Sequence, residues 1–277
     1  MKKSEWKTTK LIQDSFGKTL NILVDLFNQI AISSGNDRDK YNEEMRNFQN
    51  SSAFNNFVYS SVRRMVTPIA VNNMRTWRRA AKQATKNPLL YRLLMREINR
   101  DLRNSINEQI EENANLIKTL PTDVAYKVTQ DISEMAFKGM RSSEIAKAIQ
   151  SKTEQHSRAS AKLIARTEVS KTTTALTKAR CDNLGFNWYV WRTMEDGDRV
   201  RKSHRIMEGV LVNWNEPPSP EALAGEKNVG YYHAGNIWNC RCYPEPLIDI
   251  DDISWPRKVY FNGQIQTMGK MQFSQIM

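Results

Sequence analysis

The chain has 277 residues, 40% of them apolar, and 41 Lys and Arg against 30 Asp and Glu, a net charge of +11. That length buries the core of one large domain or two small ones. No uninterrupted apolar run approaches membrane-spanning length, the basic N-terminal stretch lacks the apolar segment of a secretory leader, and three cysteines, an odd number, make no disulfide framework. The expectation is a soluble, non-secreted protein with no membrane partner and with reduced thiols.

Along the chain, Leu11, Ile12, Phe16, Leu20, Leu23, Val24, Phe27 and Ile30 recur at helical spacing, and Ser33-Ser34-Gly35-Asn36-Asp37 closes that helix. From Ala53 a second apolar series, Phe54, Phe57, Val58, Val62, Val66, Ile69, Met74 and Trp77, predicts another helix. Asn87-Pro88 restarts a helix, with Asn as cap and Pro in the first turn. Its stripe is Leu90, Leu94, Ile98, Leu102, Ile106 and Ile110. Pro121-Thr122-Asp123 predicts the start of a helix reaching about Lys138, with Gly139 as terminator. A cap at Arg141-Ser142-Ser143 opens a short helix, and a longer one is expected from about Glu154 to Asn183, closed by Leu184-Gly185.

The charge is unevenly spread along these elements. Residues 1–185 hold 31 Lys and Arg against 19 acidic residues, and residues 186–277 hold 10 against 11. Between Arg63 and Arg103 there are 11 basic and 2 acidic residues. Arg75, Arg79, Lys82 and Lys86, then Arg92, Arg96, Arg100 and Arg103, recur at spacings that keep each set on one side of its helix. Such a surface suits an anionic partner, double-stranded DNA or an acidic protein face. The alternative is a solvated face that keeps the chain soluble.

After Gly185 the pattern changes. Trp188–Thr193 is aromatic and β-branched and predicts a strand. Val210-Leu211-Val212 and the surroundings of Tyr231-Tyr232 are further strand candidates, Pro217-Pro218-Ser219-Pro220 is a loop, and Asn262-Gly263 marks a hairpin in the tail. The fold class is α+β, a long helical N-terminal region feeding a small α+β module. The expected divisions are an N-terminal helical arm (1–50), a basic helical region (51–153), the module (154–250) and a tail (251–277).

Residues 188–242 concentrate four of seven tryptophans, two of three histidines and two of three cysteines. His204, His233, Cys240 and Cys242 are two nitrogen and two sulfur donors, the number a tetrahedral zinc takes, although Cys-x-Cys is tighter than the usual Cys-x₂₋₄-Cys. The same residues can be read as two buried thiols near ordinary histidines, or as a Cys–His nucleophile pair. Asp196, Asp198 and Glu208 are candidate paired carboxylates, with Asp196-Gly197-Asp198 also reading as a turn. No Walker or dinucleotide-type phosphate loop is present. Arg166-Thr167-Glu168 lies within the long helix and reads as a polar tie to Asp198, Arg199 or Arg201, with a catalytic role as the alternative.

Taken in order, Ala165-Arg166-Thr167-Glu168 on a long helix, a Gly turn, a Trp-bearing strand, Asp198-Arg199-Val200-Arg201-Lys202-Ser203-His204, Met207-Glu208-Gly209 and Asn239-Cys240-Arg241-Cys242 resemble the phage Mu F-like head morphogenesis family, minor head proteins of tailed phages. The resemblance covers about Ala161 to Pro244. It implies family-motif roles for Arg166, Glu168, Arg199, Arg201, Gly209 and Arg241. It also implies portal association, roles in head assembly and DNA packaging or delivery, and a place in the virion after assembly in the host cytoplasm. The implied partners are portal, scaffold or major capsid protein, with sequence-independent contact to DNA, and no enzymatic activity is expected. The chain departs from the family pattern at Glu208, where Asp is usual, and at Ile237-Trp238, where His-Pro is usual. An enzyme using metal or thiol at His204, His233, Cys240 and Cys242 is the alternative function.

Overall fold

The structure, a computed structural model, describes residues 6–7, 10–35, 37–83, 87–98, 102–137, 142–194 and 200–277. Long helices lead: α1 (Lys10–Ser34), α2 (Arg38–Gln49), α3 (Ser52–Gln83), α4 (Pro88–Ile98), α5 (Arg103–Phe137) and α6 (Ser142–Leu184). They divide between two compact units. One comprises Lys10–Thr67 and Asn107–Glu168, the other Met1–Thr9, Pro68–Ile106 and Val169–Met277.

In the first unit α1 buries Phe16, Leu20, Leu23, Val24 and Phe27, as its spacing predicts. The loop at Gly35 is a cap as well as a stop: Asp37 Oδ1 accepts from the backbone of Asp39 and Lys40, both at 2.9 Å, and starts α2. The apolar pattern gives no sign of that helix, because it buries just Tyr41 and Met45. Phe48 near its end packs against Phe27 and Phe54. Pro121 does not start a helix but lies inside α5. Ile110, Ala114, Ile117, Leu120, Val124, Val128 and Ile132 form one buried stripe through it, and a continuous stripe outweighs one lost backbone hydrogen bond. Likewise α6 is one helix where the sequence predicts two. Its buried face runs through Thr153 and Ser157, polar residues that hide the period. The Tyr41 hydroxyl meets Thr153 Oγ1 at 2.9 Å, and burial raises the Tyr41 pKa to about 12.

In the second unit α6 ends as its Leu184-Gly185 signal predicts. Gly185 takes φ +72°, its N–H reaches Asp182 O and the Phe186 N–H reaches Cys181 O at 2.9 Å, the two bonds of a Schellman stop. Five strands follow: β1 (Trp188–Arg192), β2 (Leu211–Asn213), β3 (Tyr243–Pro246), β4 (Arg257–Phe261) and β5 (Gln264–Met268). Their order is β3-β1-β2-β4-β5, with β2 and β4 parallel and the other neighbours antiparallel. The β4–β5 hairpin turns on Asn262 and Gly263, both at positive φ, as Asn-Gly requires. Tyr231-Tyr232 is not a strand. β3 escaped the sequence because Pro244 and Pro246 lie in it; it is an edge strand, where a missing N–H is tolerated. Short helices α7 (Lys202–Arg205), α8 (Pro220–Leu223) and α9 (Lys270–Ser274) complete the unit.

Both faces of β1 are covered. Trp188 and Val190 pack with Leu211, Val259 and Phe273. Tyr189 and Trp191 join a larger core with Trp77, Ala80 and Ala81 of α3, Leu94 and Ile98 of α4, and Cys181 of α6. Beside it Arg180 donates from Nε to Asn73 Oδ1 at 3.0 Å and from Nη1 to Glu97 O at 2.8 Å. Its Nη1 lies 3.6 Å from Glu97 Oε1, with the two side chains 5% and 4% exposed.

Candidate metal centre and the basic helices

The loop from β1 to β2 places His204. The Gly209 N–H returns to Trp191 O at 2.9 Å, and at φ +77° this turn suits glycine. Glu208 accepts from Thr193 N and Oγ1 at 2.6 and 2.8 Å and pairs with Arg192, which also binds Glu245 of β3. The intervening α7 thus sits against the sheet, with the buried His204 ring 5.7 Å from Trp191, edge to face.

The segment before β3 places the cysteines. Thr174 of α6 donates to Ala234 O at 2.8 Å. Gly235, at φ +83°, approaches so closely that a Cβ there would lie 2.7 Å from Thr174 Oγ1 and 2.8 Å from Cys242 O. Asn239 takes positive φ, and the Cys242 N–H turns back to Cys240 Sγ at 3.3 Å. This tight turn gathers both sulfurs on His204, so the short Cys-x-Cys spacing builds a shared site instead of preventing one. Cys240 Sγ and Cys242 Sγ lie 3.6 and 3.4 Å from His204 Nδ1, and the three donor atoms lie within 4.8 Å of one another.

Behind His204 stands a polar relay that the sequence did not reveal. The Tyr232 hydroxyl donates to the Glu221 carboxylate, 2.6 Å from Oε2 and 2.8 Å from Oε1, while Ser203 Oγ donates to the same group at 3.2 Å. With its single proton committed to Glu221, Tyr232 Oη accepts from His204 Nε2–H at 2.9 Å. This network assigns the proton to Nε2 and leaves the Nδ1 lone pair facing the sulfurs. Burial, followed by Glu221, pushes the Tyr232 pKa far up. The hydrogen bond from the Cys242 thiol, with His204 adding to it, holds the Cys240 thiol well below the ordinary cysteine range, and Cys242 is raised by the same bond and by burial.

His233 is the predicted ligand that the structure holds elsewhere. Its ring lies between Tyr189 and Trp214, with Nδ1 3.2 Å from the Tyr189 hydroxyl. Burial first, and Lys178 next, lower its pKa to about 4. The predicted set of four is therefore corrected to a cluster of three. A cavity of about 20 Å³, lined by Val200, Arg201, His204, Asn239, Cys240, Arg241 and Cys242, adjoins it. Arg201 stacks over exposed Trp238 and donates to its carbonyl at 2.8 Å. Arg199, Asp196 and Asp198 lie outside the described residues.

Chemically, two sulfurs and an imidazole nitrogen are soft donors. They also form the Cys–His proximity that a thiol nucleophile needs, although both cysteines are 3% exposed and the cavity admits one water-sized group. Arg75, Arg79 and Lys82 on α3, Arg92 and Arg96 on α4 and Arg103 at the start of α5 are exposed, all in the second unit. Lys86 and Arg100 lie outside the described residues. Thr167 and Glu168 are buried, and Arg166 lines a groove in the first unit with Lys18, Arg158 and Lys162.

Among known proteins, the chain is 29% identical over 149 residues to an uncharacterized protein of Haemophilus influenzae, a match covering 53% of this chain and 30% of that relative. The chain therefore spans less than a third of that relative's length. No solved structure matches. No helix among the described residues is long and apolar enough to cross a membrane. Residues 123–244 match the family model described as "Phage Mu protein F like protein". Those residues contain the cysteines, His204, β1, β2 and the start of β3, and it is this segment that is similar to the phage Mu F-like family.

Proposed function

We propose that this is a minor head protein of a tailed phage, associated with the portal vertex and acting in head morphogenesis and DNA packaging or delivery. The match over residues 123–244 carries the reading. The exposed cations of α3 and α4 support contact with an anionic partner: DNA, through its phosphates and without sequence preference, or an acidic face of portal, scaffold or major capsid protein. The protein is then a virion component assembled in the host cytoplasm. Its role is structural, because the His204–Cys240–Cys242 cluster is enclosed and its cavity of about 20 Å³ holds no organic substrate; this argues against the metal- or thiol-dependent enzyme reading.

The test is its place in the particle. Quantitative mass spectrometry of purified virions, with antibody labelling in the electron microscope, should find a few copies at one vertex of the head. Absence from heads and procapsids alike sinks the proposal.

A further inference from the structure

We propose that His204, Cys240 and Cys242 bind a zinc ion through Nδ1 and two thiolates, with a water-sized ligand completing the tetrahedron. The distances fit that ion. Zn–S of about 2.3 Å and Zn–N of about 2.0–2.1 Å at tetrahedral angles set each S···N edge at about 3.5 Å. The two edges here are 3.6 and 3.4 Å. A neutral imidazole offers one lone pair at Nδ1 and accepts one S–H. Two sulfurs at nearly equal distance from that atom are more than hydrogen bonding uses, and they suit a cation seated among the three.

The relay behind the histidine fits as well. A zinc-bound histidine characteristically gives its other N–H to a carboxylate or an equivalent acceptor, which fixes the tautomer and ring orientation. His204 does so through Tyr232 to Glu221, both of them buried. Burying this carboxylate, 6% exposed, carries a desolvation cost, and orienting a ligand gives it a purpose.

Charge balances too. Two thiols each lose a proton to solvent as two Zn–S bonds form, so the +2 of the ion is cancelled by two thiolates and the buried centre is neutral. Such a centre avoids the cost of an unpaired buried ion. The cavity of about 20 Å³ beside the donors accommodates one water, which supplies the fourth ligand. The ion would tie α7 to the segment entering β3, at the end of a stretch, residues 224–242, that contains no strand or helix. That makes it a cross-link of the module.

Metal analysis of the full chain purified without chelator should give about one zinc per chain. Exchange with Co²⁺ should give thiolate-to-cobalt charge-transfer absorption and the intense visible bands of a tetrahedral site. Cys240→Ser and Cys242→Ser should each lose the charge-transfer intensity, while His233→Gln should keep both the metal and the spectrum. Removing the metal with a chelator should speed alkylation of the two thiols at least about tenfold. Less than about a tenth of an equivalent of zinc together with no cobalt charge-transfer band overturns the proposal. So does full metal retention in both serine variants, or metal loss from a His233→Gln protein with native near-ultraviolet circular dichroism. The cobalt spectrum of the unmodified chain decides the matter even if every variant misfolds.

Discussion

Replacing Arg180 with Met removes one partner of a buried ion pair without emptying the volume it fills. In the native chain Arg180 reaches Asn73 Oδ1, Glu97 O and, at 3.6 Å, Glu97 Oε1. Burial lowers its pKa and Glu97 opposes that shift, so the charge is held in place by its partners. With Met there, the Glu97 carboxylate, in a side chain 4% exposed, keeps the 3.0 Å bond from Asn183 Nδ2 and loses its countercharge. Asn73 Oδ1 loses a donor. Breaking one side of a buried pair costs about 3–5 kcal/mol, which is a large part of the 5–15 kcal/mol typical of a domain. Removing both charges, as Arg180→Met with Glu97→Gln, keeps an acceptor for Asn183 and should recover about 1–3 kcal/mol of that loss. Urea unfolding followed by tryptophan fluorescence reads this directly, since Trp77 and Trp191 lie in the adjoining core. A single variant within about 1 kcal/mol of the native chain, or a double variant no more stable than Arg180→Met, refutes the reasoning.

Gly235→Ala forces a Cβ to within 2.7 Å of Thr174 Oγ1 and 2.8 Å of the Cys242 carbonyl at φ +83°, and should cost about 2–4 kcal/mol in urea unfolding. Gly185→Ala, with positive φ but open space, should cost about 1 kcal/mol. His233 has a folded pKa lowered to about 4 against an unfolded value of about 6.5. The unfolded chain then binds the extra proton between these values, so stability from this group is fully present above about pH 6.5 and is lost as pH falls toward about 4. The loss is at most about 3 kcal/mol, and His233→Gln should flatten that limb of the pH–Tm curve. If α3 and α4 contact DNA, replacing Arg75, Arg79, Arg92 and Arg96 with Gln should reduce the slope of log affinity against log salt by up to about 0.9 for each phosphate that is no longer neutralised. An unchanged slope in filter-binding titrations removes these helices from the DNA interface.

The sequence revealed what depends on local pattern. Apolar spacing in α1 and α3, the Gly185 stop, the Trp188 strand and the Asn262-Gly263 turn are set within a few residues of themselves. What it hid depends on residues far away. α6 buries Thr153 because Tyr41 lies opposite with a hydroxyl, 112 residues away, and Ser157 is buried with its hydroxyl turned back onto Thr153 O. β3 is a strand despite two prolines because β1 supplies the donors and acceptors on its one paired side. The cluster was half visible. Residue types pointed to His204, Cys240 and Cys242, but no pattern separates them from His233, which a Tyr189 hydroxyl and the Trp214 ring claim instead. Glu221 and Tyr232 carried no signal beyond the adjacency of Tyr232 to His233, because a relay through space leaves no spacing in the chain.

The family-matched segment begins in one compact unit and ends in the other, and its sheet core is completed by side chains that lie before it. Trp77 and Leu94 are fully buried and Ile98 nearly so, in one cluster with Tyr189, Trp191 and Tyr243. Leaving out α3 and α4 forfeits roughly 1.5–3 kcal/mol for each of these three side chains and strips Arg180 of Asn73 and Glu97. That sum rivals the net stability of a domain. A chain beginning at Asp123 should therefore be a collapsed or aggregating species that binds hydrophobic dye and lacks near-ultraviolet circular dichroism. The full chain, which also keeps Trp6 edge-on against Trp77, should hold native spectra. Cooperative unfolding of the shorter chain with native near-ultraviolet signal would show that α3 and α4 are appended to the module. The opposite result means that these helices present exposed cations to solvent while their inner faces complete its core.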